Sequence, residues 1–401
     1  MHPHQRGQQL SSLGCHRPPT KAPTKITNET DPNREPLSDS DSPGSDSGDS
    51  ESSGDDTSTP DTSSPDTSSP DTDAPDTSSP DTGPAPCIAD PATPGADTNL
   101  SLTHDGETRT YMVRLPADYD CTPRPVLIGV HGYYGSGAGF ANSTADLSEH
   151  LDAHGYIGLF PDGLQMSSSA PDVTSFNDLG SRNDDGPDGA TCDDDSYDYG
   201  SYTNCGSSEV TRECHWGTSC ADDEGFFRAM LSHAEATWSV DSDRVYMTGF
   251  SQGGQTTQSM ACPMSDVLAA IAPSHGFSAN GFTCAPDTPM GMIQVWGTRD
   301  RIVPGDDGLA NDGYIYDDAA ETAVIWAAAQ DCASDGDSVY PTASDGARDW
   351  ACTAHVGCAT GAEVVTCQWD GGHIWPSSSS DGNFPLEEIW TFLSAHSKAG
   401  R

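Results

Sequence analysis

Residues 244–254 read RVYMTGFSQGG, an apolar run that passes directly into a turn of small residues around Ser251. The turn fits the pattern G-x-S-x-G, in which a serine occupies a tight strand-to-helix turn between two glycines. Side chains at the glycine positions would collide with the adjoining strand and helix. Residues 255–261 contain no proline and are compatible with a helix. We therefore predict that Ser251 is a nucleophile; the alternative interpretation is an ordinary strand–helix turn.

The chain also supplies the partners that a nucleophilic serine needs. A histidine must accept the hydroxyl proton, and a carboxylate must orient that histidine. Asp300 follows the apolar run 290–296, and His373 follows the strand candidate 363–369 and two glycines. The order serine, acid, histidine is that of α/β-hydrolases. The alternatives are a surface Asp300 paired with Arg299 or Arg301, and a histidine with a structural role.

An upstream loop predicts the groups that would stabilise an oxyanion. The apolar run 125–130 ends in His131, Gly132 and Tyr133. In this fold, one backbone N–H comes from such a loop and the other from the residue after the nucleophile. These positions predict Tyr133 and Gln252 as backbone donors. His131 precedes the serine in the chain, and we expect it to brace the loop.

Alternating apolar runs and helical stretches predict an α/β fold with a mainly parallel sheet flanked by helices. The strand candidates are residues 109–115, 125–130, 156–160, 244–248, 269–272, 290–296 and 363–369. The helix candidates are residues 142–153, 222–238, 252–262, 317–330 and 386–394. All the candidate site loops then follow the carboxyl ends of strands, where open α/β sheets build their sites.

These segments together resemble the secreted feruloyl esterase and polyhydroxybutyrate depolymerase-like branch of the α/β-hydrolases, broadly carbohydrate esterase family one. The likeness extends from residue 98 to the C-terminus and rests on residues 109–116, 130–133, 160–164, 222–246, 297–300 and 371–376. It implies an α/β-hydrolase fold and an extracellular serine esterase, without cofactor or metal, that acts on feruloyl or acetyl esters of plant cell-wall polysaccharide such as xylan. The alternatives are a polyester depolymerase and, in another class, a surface binding protein on a catalytically dead scaffold.

Some features near the predicted site allow two interpretations. Trp296, Trp375 and Phe277 lie near the site loops, where they either pack against an aromatic acyl group or belong to the core. An insertion at residues 167–221 is longer and more acidic than the resemblance implies. Its carboxylates lack the spacing of an EF-hand, so we predict a solvated acidic loop rather than a calcium site.

The composition limits the partners and the domain organisation. Residues 1–86 hold 5 basic and 16 acidic side chains of the chain's 17 and 62, which leaves 12 and 46 and a net charge of −34 for the rest. This charge disfavours nucleic acid and anionic membranes as partners. Residues 1–86 are rich in Ser, Asp, Thr and Pro and predict a disordered spacer. Residues 87–401 are predicted to form one catalytic domain, and we expect a monomer.

The cysteines indicate an oxidising compartment. Of the 13 cysteines, 12 lie in the predicted domain, an even number that suits disulfides. Their spacing does not match a zinc site, and Cys352, Cys358 and Cys367 are close enough for pairing with each other or with Cys332. Cys15 weakly resembles a lipidation cysteine, although residues 1–10 lack the apolar core of a signal peptide. We expect a secreted or cell-surface protein, with Cys15 as a possible lipid anchor.

Overall fold

A twisted sheet of ten strands runs through the part of the chain that the structure describes. The structure is a computed structural model that describes residues 89–167, 170–178, 185–193, 205, 218–333, 337–340, 350–375 and 384–401. All of these residues fall within one compact unit, Pro80–Arg401. The predicted spacer and Cys15 lie outside the described residues.

The sheet is parallel in its centre and antiparallel at both edges. Its strands, in spatial order, are β1 (Asp97–His104), β2 (Glu107–Arg114), β4 (Ile157–Pro161), β3 (Arg124–Val130), β9 (Val240–Phe250), β10 (Ala270–Ser274), β11 (Gly291–Gly297), β14 (Glu363–Trp369), β13 (Ala351–His355) and β12 (Asp337–Val339). The strands from β4 to β14 in this order are parallel, and the outer pairs are antiparallel. Two hairpins stand apart from the sheet: β5 (Leu164–Ser167) with β6 (Ala170–Ser175), and β7 (Asp185–Gly186) with β8 (Gly189–Ala190).

Helices cover both faces of the sheet. They are α1 (Gly137–Gly139), α2 (Leu147–His154), α3 (Asp223–Thr237), α4 (Gln252–Ser259), α5 (Ala319–Ala329) and α6 (Phe384–Ser394). Because successive strand residues point to opposite faces, neighbours in one strand enter different cores. Met247 packs with residues of α3 and α5, whereas Tyr246 packs with residues of α2 and α6. This two-sided burial explains why the central strands are continuous apolar runs.

Two of the sequence-based element predictions need correction. The helix predicted over residues 142–153 is confirmed only from Leu147 onward: a π-helical turn, Phe140–Thr144, is followed by a break at Asp146, and α2 begins at Leu147. The break arises because Asp146 adopts the left-handed conformation, with φ +52°. The sequence analysis also missed β1 and β12, the two edge strands, and β13, which lies next to β12; all three carry exposed residues rather than buried apolar runs.

The described parts of the acidic insertion differ from one another. Asp185 and Asp193, in the acidic stretches, are exposed, as predicted for a solvated loop. By contrast, Phe176, Asn177 and Ser219 are buried, so part of the insertion packs on the domain. Asn177 donates its backbone N–H to Asp223 of α3, whose carboxylate also pairs with the buried Arg109 at 2.6 Å. The acidic stretch 194–198 lies outside the described residues.

Disulfide bonds cross-link the described C-terminal half. They join Cys205 to Cys220, Cys262 to Cys284, Cys332 to Cys358, and Cys352 to Cys367. The last two confirm the predicted local pairing among Cys332, Cys352, Cys358 and Cys367. Within the described ranges, the helices are too short or too polar to cross a bilayer.

Candidate active site

Ser251 occupies a strained turn between β9 and α4. Its φ of +59° and ψ of −124° lie outside the regions that side-chain-bearing residues favour. Hydrogen bonds hold the turn: the Ser251 N–H donates to Ser274 O at 3.0 Å, and Ser251 O accepts from the N–H groups of Gly254 and Gln255. A Cβ on Gly253 would lie 2.1 Å from Val130 O, so the close approach of β3 requires glycine there. These contacts explain the small residues of the motif.

The structure brings Ser251, His373 and Asp300 into one hydrogen-bonded chain. His373 Nε2 lies 2.8 Å from Ser251 Oγ, and His373 Nδ1 lies 2.7 Å from Asp300 Oδ2. Asp300 is 1% exposed, and its other oxygen accepts the N–H groups of Ile302 and Val303. With the imidazole proton on Nδ1 facing the carboxylate, Nε2 is left to accept the serine proton, as general-base catalysis requires.

The alternative partners of the acid are engaged elsewhere. Arg299 pairs with Asp370 at 3.1 Å. Arg301 lies 3.7 Å from both Asp306 and Asp307 on the exposed side of the loop. Arg299 and Arg301, the two partners considered for Asp300, therefore form their ion pairs with these other aspartates.

The loops that carry the acid and the histidine are bound to each other. The N–H of Thr298 donates to Trp369 O at 2.9 Å, and the N–H of Arg299 donates to Gly371 O at 2.8 Å. Each loop leaves the carboxyl end of a parallel strand, β11 and β14, which pair in register. The pairing of these two strands therefore fixes the distance between the loops that carry Asp300 and His373.

The predicted oxyanion loop lies against the nucleophile. A Cβ on Gly132 would be 3.1 Å from Ser251 Cβ, so this glycine permits the close approach of the segment that leads into Tyr133. Gln252 is the first residue of α4, where a backbone N–H has no partner within the helix. The Gln252 side chain is buried and donates to Phe176 O at 3.1 Å. The geometry places both predicted segments beside Ser251, and their role as donors stays a prediction.

His131 braces the oxyanion loop, as the sequence analysis expected. Its Nδ1 lies 2.7 Å from Gly132 O, and its Nε2 accepts the N–H of Gly163 at 2.9 Å. Burial lowers the pKa of His131 to about 4, so the ring is neutral and holds a fixed tautomer at neutral pH. Asp162 adds a second brace, because its Oδ1 accepts the N–H of Gly137 and its Oδ2 accepts the hydroxyl of Thr110.

A second buried histidine, His275, lies beside His373 and was missed from the sequence. The two ring centroids are 6.2 Å apart. Trp369 Nε1–H donates to His275 Nε2 at 3.0 Å, so the His275 proton lies on Nδ1, 2.9 Å from Ser274 Oγ. Burial, with a further contribution from His373, lowers the pKa of His275 to about 3. The only sequence signal was its position three residues after the apolar run 269–272.

The three aromatic residues near the site are all buried. Phe277 is 1% exposed and Trp296 is 8% exposed, and both belong to a cluster with Val303, which Tyr133 flanks. Trp375 is 5% exposed and makes T-shaped ring contacts with Phe140 and Phe250. Contact between these side chains and an acyl group stays a prediction.

An open cavity of about 1060 Å³ adjoins the oxyanion loop. Its wall combines the aromatic side chains of Tyr133, Tyr134 and Phe250 with many polar groups. The polar wall residues are Glu107, Thr108, Arg109, Thr110, His131, Ser136, Ser143, Thr144, Asp162, Gln165 and Thr174. Tyr134, 61% exposed, lies at φ +64° and donates its N–H to Thr174 O, which ties the loop to the β5–β6 hairpin.

Comparison with known proteins finds relatives of low identity. No protein-family model matches the chain. It is 28% identical over 160 residues to feruloyl esterase B of Piromyces equi, covering 38% of this chain and 28% of that protein. It is 22% identical over 181 residues to probable feruloyl esterase C of Aspergillus niger, covering 45% and 60%. The chain thus spans less than two thirds of the length of these curated relatives.

Solved structures give a weaker likeness. An acetyl xylan esterase from Aspergillus awamori superposes with a TM-score of 0.45 and 13% identity, over 74% of this chain and 99% of that one. The likeness rests instead on the sequence relatives and on the strand order of the sheet. The chain thus has an α/β-hydrolase fold, and part of it resembles feruloyl esterases.

Proposed function

We propose that this protein is a serine esterase that hydrolyses carboxylic esters. The observation that carries the proposal is the unbroken hydrogen-bonded chain from Ser251 through His373 to Asp300, at the carboxyl ends of three parallel strands. A binding protein on a dead scaffold has no need of these three groups in contact. The strained backbone of Ser251 points the same way, because strain of this kind collects at functional positions.

The proposed reaction has two halves. Ser251 Oγ attacks the ester carbonyl carbon while its proton passes to His373 Nε2, and Asp300 stabilises the imidazolium that forms. The carbonyl oxygen becomes an oxyanion, which the N–H groups of Tyr133 and Gln252 stabilise. The C–O bond then breaks, and His373 protonates the departing alcohol. In the second half, His373 takes a proton from the water that attacks the acyl-enzyme carbonyl. As the bond from the acyl carbon to Ser251 Oγ breaks, His373 returns the proton to Oγ, and the acid is released.

The substrate proposed is a feruloyl or acetyl ester on plant cell-wall polysaccharide. The sequence relatives include feruloyl esterases. The cavity beside the oxyanion loop combines aromatic faces with hydroxyl, amide and carboxylate groups, a wall that suits a phenolic or sugar group attached to the ester. We further propose that the protein works outside the cell, because disulfides persist in oxidising compartments.

Replacement of Ser251 by alanine tests the esterase proposal. Hydrolysis of methyl ferulate, acetylated xylan, short-chain nitrophenyl esters and polyhydroxybutyrate is measured for the parent, Ser251→Ala and the control Ser101→Ala, on exposed edge strand β1. We expect the Ser251 variant to lose at least about a thousandfold in kcat, with an unchanged circular dichroism spectrum, and the control to match the parent. Preference for ferulate or acetyl-xylan supports the proposed substrate, and preference for polyhydroxybutyrate supports the polyester alternative. A parent protein inactive on all four esters contradicts the proposal.

Covalent labelling gives a second readout that does not require the natural ester. A fluorophosphonate should add one label per chain at Ser251, as mass spectrometry of the digested protein can show. Labelling of the Ser251→Ala variant to the same extent would contradict the assignment of the nucleophile.

A further inference from the structure

Two helices on one face of the sheet bring together a cluster of histidine and glutamate side chains. His150 and His154 lie one turn apart on α2, so they share a helix face. Glu387, in the first turn of α6, lies opposite them. Its carboxylate oxygens are 3.7 Å from His150 Nε2 and 3.4 Å from His154 Nε2. Over the described ranges, this is the one group of three such side chains with ligand atoms within 4.8 Å of one another.

One nitrogen of this cluster is buried without a partner. His150 is 8% exposed, and its Nε2 is buried and makes no hydrogen bond. A buried polar atom left in this way costs about 1–3 kcal/mol. The other nitrogen, Nδ1, lies 3.0 Å from the hydroxyl of the fully buried Tyr156. If Nδ1 donates its proton to that oxygen, Nε2 carries a lone pair directed toward His154 and Glu387.

The donor set selects the class of ion. Two imidazole nitrogens and a carboxylate oxygen suit zinc and similar transition metals, whereas calcium and magnesium prefer oxygen ligands. Ligand atoms about 2.0–2.2 Å from a tetrahedral ion are roughly 3.4 Å apart. The distances from Glu387 to the two histidines are already close to this value. His154 and Glu387 are partly exposed, so they are free to adjust and leave the ion accessible to water.

We propose that His150, His154 and Glu387 form a binding site for a zinc-class divalent ion that clamps α6 to α2. The fourth position is open to water. Tyr156 positions His150 through the ring nitrogen that does not bind the metal, the arrangement that orients metal-binding histidines in proteins. The site stabilises α6, the helix that follows the loop of His373, and it takes no part in ester cleavage. Sequence spacing of cysteines predicted no metal, and this site uses no cysteine.

Metal binding to the full-length protein tests the proposal. After treatment with chelator and dialysis, the protein is titrated with Zn²⁺ by calorimetry, and its melting temperature is measured with and without the ion. We expect one equivalent to bind, with a higher melting temperature. Co²⁺ should bind in its place and give the visible absorption of a four-coordinate ion.

Variants distinguish Zn²⁺ binding at this site from nonspecific binding of cations to an acidic protein. His154→Gln and Glu387→Gln, at partly exposed positions, should each weaken Zn²⁺ binding at least tenfold. Tyr156→Phe should weaken it about tenfold, because it removes the partner of Nδ1. The control variant His104→Gln alters a histidine outside the site, which pairs with Asp222. It should bind Zn²⁺ as tightly as the parent does. Hydrolysis of esters should be equal in all four variants.

Two outcomes would overturn the proposal. One is the absence of stoichiometric Zn²⁺ binding to the parent. The other is binding that millimolar Ca²⁺ or Mg²⁺ displaces, or that survives unchanged in His154→Gln and Glu387→Gln; either result means adventitious ions on the acidic surface. Neither outcome bears on the esterase proposal, which is tested at Ser251.

Discussion

At the scale of single residues, the site depends on one carboxylate that is almost fully enclosed. Asp300 accepts two backbone N–H groups on one oxygen and faces His373 with the other. The two backbone bonds fix the rotation of the carboxylate, so the imidazole can take only the tautomer with its proton on Nδ1. A nearby exposed aspartate, Asp306, lies in the same loop without these contacts and provides a matched comparison.

We expect Asp300→Asn to lower kcat by about a thousandfold to ten-thousandfold, because an amide can stabilise the wrong tautomer and carries no charge to balance the imidazolium. Asp306→Asn should stay within about twofold of the parent, since it removes only a long surface ion pair. Steady-state hydrolysis of a nitrophenyl ester measures both. Equal losses in the two variants would show that the acid has been misassigned.

The contacts of His275 explain why its position in the site could not be predicted from the sequence. Its partners are Trp369, which is 94 positions away, and His373, and nothing in the local sequence indicates either contact. His373 is likewise 73 positions from Asp300 and 122 from Ser251, yet these three residues were predictable because their chemistry fixes both their types and their order. His275 has no such signature, since a buried neutral histidine serves many structural purposes.

At the scale of elements, the loops after β3, β9, β11 and β14 build the site, and the apolar strand patterns together with the motifs that follow them predicted these loops. Central strands were predictable to within a few residues, because both their faces are buried and they form continuous apolar runs. Edge strands were not. In β1, residues alternate between exposed and half-buried, and polar side chains such as Asn99 and Ser101 resemble those of a loop.

The two glycines before His373 differ in the space that a side chain would have. A Cβ on Gly371 would lie 2.0 Å from the ring of Trp369, which is 3% exposed and hydrogen-bonded to His275, whereas a Cβ on Gly372 would meet nothing closer than Arg299 O at 3.8 Å. We expect Gly371→Ala to reduce kcat/KM at least tenfold and to cost about 1–3 kcal/mol of stability. Gly372→Ala should resemble the parent. Urea unfolding and ester hydrolysis test the pair, and similar behaviour of both variants would contradict this account.

At the scale of the whole molecule, buried histidines make stability depend on pH, and the largest pKa shifts are at His131, His150 and His275. Burial lowers the pKa of His131 to about 4, and of His150 and His275 to about 3. In the unfolded chain, a histidine takes up a proton near pH 6.5. The unfolded state therefore binds more protons between pH 6.5 and the folded pKa, so each contribution to stability is complete above pH 6.5 and is lost as the pH falls.

We expect each of these histidines to remove about 2 kcal/mol from the free energy of unfolding when the pH falls from 7.5 to 5. Protonation of the many carboxylates relieves their repulsion over the same range and acts in the opposite direction. Comparison with His275→Gln isolates the histidine contribution: the fall between the two pH values should be about 2 kcal/mol smaller in the variant. Urea unfolding at pH 7.5 and 5.0 measures it. An identical fall in both proteins would contradict the assignment.

The strained backbone at Ser251 has a consequence for the history of this chain. Glycine tolerates such a conformation, whereas a serine held there costs of order 1–3 kcal/mol. A lineage that no longer needed the hydroxyl would gain stability by drifting to glycine at this codon. The proposed nucleophile therefore lowers the stability of the fold, and Ser251→Gly should raise the free energy of unfolding.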